Sequence, residues 1–160
     1  MAIFEIKYGT SGQAITITLA SLAAAAARES TALDNTADLA LDVLVALKVK
    51  LQTGTAGDFK SVNVYVYGTV DGGTTYPDAV TGTDAAITLD SPPNLRLLGV
   101  ISAPTSAGTF KGGPWSVAAA FGGNIPAKWG IVVENRTNIA FDATESNHVK
   151  KFQEIQSQSA

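Results

Sequence analysis

The stretch Leu39-Ala40-Leu41-Asp42-Val43-Leu44-Val45-Ala46-Leu47-Lys48-Val49-Lys50-Leu51 puts Leu or Val at every odd position without a break. The even positions are mixed. Successive side chains of a β-strand point to opposite faces, so this pattern builds one continuous apolar face and one mixed face. A helix would scatter the same residues around its circumference. The spacing predicts a long strand over residues 39–51 and places the chain in a sheet protein.

Outward from this strand the signals stay β. Val62, Val64 and Val66 alternate with Asn63, Tyr65 and Tyr67 and predict a second strand, turned by Asp71-Gly72-Gly73. Ala85–Leu89 predicts a short third element that Pro92-Pro93 stops, because proline cannot donate to a ladder. Leu95–Ile101 reads as a buried strand crossed by Arg96, residues 102–114 as a long loop, and Trp115–Phe121 as an alanine-heavy strand. Trp129–Glu134 predicts a strong strand and Ile139–Phe141 a short one. Seven or eight strands with Gly and Pro turns predict an all-β fold, an antiparallel β-sandwich of jelly-roll-like form. Its core is led by the odd residues from Leu39 to Leu51 with Val62, Val64, Val66, Leu97, Ile131 and Val133.

Towards the N-terminus, Ala14–Leu19 alternates and predicts one short strand. Leu22–Arg28 is nearly all alanine and predicts a short helix capped by Ser21. A polar passage follows. Residues 1–37 thus form an N-terminal arm, which either reaches a neighbouring subunit or covers a sheet edge of its own. Residues 38–152 make the sandwich body, and the polar residues 153–160 a flexible tail.

Composition excludes several function classes. The 160 residues include no cysteine, one histidine and one methionine, so no disulfide and no thiolate zinc site is available. Net charge is −3 and the eleven basic residues are spread along the chain, which argues against nucleic acid as a partner. Charged residues make up 16%, against about 25% in ordinary domains. Either much of the exterior meets other protein, or the surface is the Thr, Ser and Gly type common in β proteins. Residues 1–9 lack a secretory pattern and the longest apolar run, Leu19–Ala27, is too short for a span, so the expectation is a soluble chain made in the cytoplasm, with no membrane partner.

Few residues suggest chemistry. Asp71, Asp78, Asp84 and Asp90 raise the question of calcium, but their spacing is not that of a calcium loop, and each Asp also favours a turn by itself. Glu134 and Asp142 would serve hydrolysis only if they faced one cleft at hydrolase separation. His148 lies among polar residues and reads as solvated. Asn135-Arg136-Thr137 fits the glycosylation sequon and reads as a chance match without a secretory route. No metal, no cofactor and no catalytic residue is assigned. Tyr76 and Trp115 are the candidate contacts for a sugar or a partner, with core packing as the competing reading.

Two stretches carry a resemblance. Tyr67–Tyr76 is similar to the strand–Asp-Gly–aromatic hairpin of galactose-binding-like jelly rolls. More extensively, Ala27-Arg28-Glu29-Ser30, the NVYVYGTVDGG hairpin of 63–73, Asn94–Ile101 and IPAKWGIVVENRT of 125–137 resemble small virion structural proteins of tailed bacteriophages, as a general pattern over about residues 20–150. That likeness implies a non-enzymatic capsid decoration or other head or tail component, located in the virion and made in the host cytoplasm. It implies partners that are further copies of the chain, as a homo-oligomer, and phage capsid or tail proteins. The alternative is a carbohydrate-binding or receptor-binding module of a tail or head fibre.

Overall fold

A computed structural model describes residues 4–55, 57 and 60–159. In chain order the elements are β1 (Phe4–Tyr8), β2 (Gln13–Ala14), β3 (Ala27–Glu29), β4 (Leu33–Asp34), β5 (Asp42–Lys50), β6 (Ser61–Thr69), β7 (Ala85–Ile87), β8 (Arg96–Ser102) and β9 (Thr109–Ser116). There follow a single helical turn α1 (Val117–Ala120), β10 (Lys128–Asn135), a 3-10 turn over Glu145–Asn147, and β11 (Val149–Ser159). Every strand pairing is antiparallel. Sheet A runs β1-β11-β5-β9, with β2 also on β11. Sheet B runs β7-β3-β10-β6-β8, with β4 also on β10. The two sheets pack as a β-sandwich.

The core between them follows the alternation of residues 39–51. Val43, Val45, Leu47, Val49 and Leu51 of sheet A face Val62, Val64, Val66, Ile131 and Val133 of sheet B, all buried. At one side of the sandwich Trp115 of β9 lies against β8. Gly99 of β8 makes this possible, because a Cβ there would overlap the indole. Leu39 and Leu41, expected in the core, are exposed. They precede the first ladder pair of β5, Asp42 with Ile155, and fall on a loop rather than on the strand. Leu97 is exposed too, because β8 is the edge of sheet B and only Ile101 of that strand is buried.

Five further expectations are corrected. The alanine run 22–28 is not a helix. Ala25 N–H donates to the Asn135 carbonyl at 2.8 Å and Asn135 N–H to that of Ala26 at 2.9 Å, so the stretch is drawn onto the end of β10. Ile15, Ile17 and Leu19 are buried on alternate residues as expected, yet only Gln13–Ala14 pair in a ladder. The rest is an extended crossing between sheets, with Ile15 N–H on Lys150 O and Thr31 N–H on Thr16 O. Residues 109–116, split between an expected loop and an expected strand, form β9, and Val117–Ala120 forms α1, capped by the Ser116 hydroxyl. Residues 153–159, expected as a flexible tail, continue β11, paired with β5 up to Ile155 and with β1 from Ile155 on. Of the expected arm, residues 13–34 lie within the sandwich of their own chain, and only β1 stands out from it.

Candidate functional site

The two sheets differ in what covers their outer faces. On sheet B, Ala27, Tyr65, Tyr67 and Val132 form a second apolar cluster with Val80 and Leu95, supplied by the long connection between β6 and β8. Glu29 anchors that connection. It is fully buried on β3, and its carboxylate accepts hydrogen bonds from the N–H groups of Thr81 and Gly82 and from the Thr81 hydroxyl at 2.8–3.0 Å. Tyr67 donates to the Ser30 carbonyl at 2.6 Å, and burial pushes its phenol above the ordinary tyrosine range. This face is filled by the chain itself.

The outer face of sheet A has no such cover among the described residues. Beyond the Asp42–Ile155 pair, β11 is paired only with β1, so the two form a ribbon that leaves the sandwich. Directly opposed residues share a face, and Phe4, Ile6 and Tyr8 therefore lie on the same side as Ile155, Leu44 and Ala46. Phe4 is 75% exposed, Ile6 74% and Tyr8 60%. No described strand pairs with the far edge of β1.

Further along the same face three lysines line one hollow. Lys48 of β5 is directly opposite Lys111 of β9, while Lys151 of β11 is opposite Ala46, two residues from Lys48 on the same face. The described ion pairs use Arg28, Lys50, Lys128, Arg136 and Lys150, and none involves these three lysines. Like charges directly across a ladder, as at Lys48 and Lys111, oppose folding, so with Lys151 beside them the three form a positive patch without a described ion pair. Between the lysines lies a hollow of about 460 Å³, floored by Ala46, Gly112, Gly113, Pro114 and Val149. It arises where β9 bulges between Val45 and Leu47 of its partner. Gly113 sits there at φ +97°, and a Cβ would overlap the Val45 carbonyl oxygen, so the strand comes close only because the residue is glycine.

No protein-family model, no curated protein and no solved structure matches this chain.

The residues singled out from sequence lie elsewhere. Tyr76 is half-buried in the cluster on sheet B, edge-on to Tyr67 with ring centres 5.3 Å apart. Trp115 is half-buried against the main core, so the structure does not bring the two rings together. Glu134 accepts from Tyr65 and Asn63 at 3.1 Å, whereas Asp142 is held by Lys50, Thr144 and Asn147. The hollow that Glu134 lines with Ala25, Arg136 and Thr137 does not include Asp142. Asp71 closes its own turn through Thr74 and Thr75, Asp84 pairs with Arg28, and Asp78 and Asp90 both hold Asn94. Among the described residues no three acidic or histidine side chains gather as a metal site. His148, expected in solvent, is buried beside Phe141, its ring nitrogens facing Lys50 N–H and the Asp142 carbonyl. Asn135 of the sequon is fully buried, its amide committed to the carbonyls of Leu22, Ala23 and Ile139. No described helix is long and apolar enough to cross a membrane.

Proposed function

We propose that this chain is a non-enzymatic structural protein of a tailed-phage virion, a capsid decoration or cement component that binds the capsid lattice and further copies of itself. The observation that carries the reading is the uncovered outer face of sheet A with its projecting ribbon. Two strands alone are marginal in water, and this pair exposes two aromatic residues and an isoleucine on one side. Exposed apolar patches of this kind mark protein contacts. The free edge of β1 offers backbone groups to a partner strand, a contact that would bury the apolar side chains at the same time. Low charge and the sequence resemblance support the same reading. In a symmetric lattice one modest contact is repeated many times, so weak interfaces add up.

Quantitative mass spectrometry of purified virions tests this. The protein is expected in the particle at a copy number matching lattice sites, and particles that lack it would refute the assignment.

A further inference from the structure

At the ribbon end of sheet A, the loop before β5 holds a side chain out into solvent. Leu39 is 70% exposed and has φ +50°, a left-handed conformation that bulky residues rarely adopt. The Asn35 side chain clamps this shape, accepting from Ala40 N–H at 2.8 Å and donating to the Ala40 carbonyl at 3.2 Å. Leu39 N–H donates to the Asn35 carbonyl at 3.0 Å. Asp38 stands exposed beside it without a described ion pair, and Leu41 is exposed two residues on. The corner is thus a preformed knob with one carboxylate and an aliphatic tip. Burial pushes the Glu154 carboxyl up, and Glu154 lies near enough for the Asp38 charge to add to that effect.

The lysine hollow has the opposite character. Its floor is aliphatic, its rim carries three lysines without a described ion pair, and its described lining contains no aromatic ring. Sugars and nucleic-acid bases are held by stacking on aromatic rings, which this hollow does not offer. A carboxylate beside a leucine matches it in charge and polarity.

We propose that copies of this chain associate head to tail, with the Asp38–Leu39 corner of one seated in the Lys48–Lys111–Lys151 hollow of the next. The contact deepens the self-association proposed above and rests on that reading. It joins two different patches, so it repeats around a ring or along a filament rather than closing a two-fold dimer. Asp38 lies among the lysines, and Leu39 covers Ala46 and Pro114.

The test is sedimentation of the full chain and of three variants, each shown to melt cooperatively. Asp38→Lys and Lys151→Glu alone are expected to weaken association at least about tenfold, equivalent to about 1.4 kcal/mol. The double variant is expected to recover most of it, and salt near 1 M, where charges are screened within about 3 Å, to weaken the natural contact. A zero-length carbodiimide cross-linker should join Asp38 to one of the three lysines between molecules. If the chain associates but neither single variant weakens it, this contact is wrong and self-association through the ribbon stands. If the chain stays monomeric at every concentration, the contact and the self-association both fall, while the virion measurement still decides the location.

Discussion

At Asn135 a single amide ties three carbonyls from two separate stretches of chain to the end of β10. Its oxygen also accepts from the Thr137 N–H at 3.0 Å and hydroxyl at 2.6 Å. Asn135→Ala is expected to cost about 1–3 kcal/mol through unsatisfied buried groups. Asn135→Asp should cost more, because a carboxylate would face three carbonyl oxygens without a proton to offer. Urea unfolding of the two variants gives the order, and an equal loss would contradict this geometry. Val45, without exposed surface, makes the complementary case in the apolar core. Val45→Asp is expected to abolish cooperative melting, since an unpaired buried charge costs several kcal/mol against a total of roughly 5–15. Asp142 supplies the pH dependence. Hydrogen bonds from Asn147 and Thr144, with Lys50 adding its charge, hold its carboxyl well below the usual range. A depressed carboxyl stabilises the fold above the unfolded value of about 4 and loses that contribution as the pH falls towards the folded one. Asp142→Asn should therefore lower the urea midpoint near neutral pH and flatten its acid decline.

At the scale of elements, β1 and the end of β11 are expected to behave oppositely on truncation. Removing residues 1–8 strips a strand with every side chain exposed, so the body should stay folded, with Tm lowered by no more than about 5 °C and weaker self-association by light scattering. Removing residues 153–160 takes away the partners of Leu44, Val43 and Asp42 and should leave no cooperative transition. Calorimetry of the two truncations distinguishes them. The contrast also shows what could be read from sequence. β5, β6 and β10 each bury a face, and a buried face leaves a period of two. β11 gives no such signal: of the side chains it turns to the core face, Phe152 is apolar while Lys150, Glu154 and Gln156 are not, so its pairing is visible only in the ladder. The alanine run failed for a different reason. Its helix propensity is worth little beside backbone hydrogen bonds to a strand more than a hundred residues away. The candidate site was hidden likewise, since Lys111 fell in an expected loop and Lys151 shortly before an expected tail. Only the register brings them to Lys48.

Over the whole molecule the two sheets are unequal in protection. β10 is buried along most of its length, with β6 on one side and β3 and β4 on the other, whereas β1 is exposed throughout. Amide exchange should accordingly be slowest over residues 129–135, approaching the global unfolding free energy, and fastest over residues 4–8. Comparable rates in the two segments would mean that the ribbon is as firmly held as the centre of sheet B. The register of that ribbon has a topological consequence. Phe4 is directly opposite Ser159, so the first and last described strands meet at one tip, about 5 Å apart across the ladder. Whatever sequence is attached before residue 4 or after residue 159 departs from the same point, beside the exposed Phe4 and Ile6. A fused cargo at either end therefore has a single address on the molecule, and a short linker closing that tip would let the chain be reopened at the exposed Gly72 turn as a circular permutant.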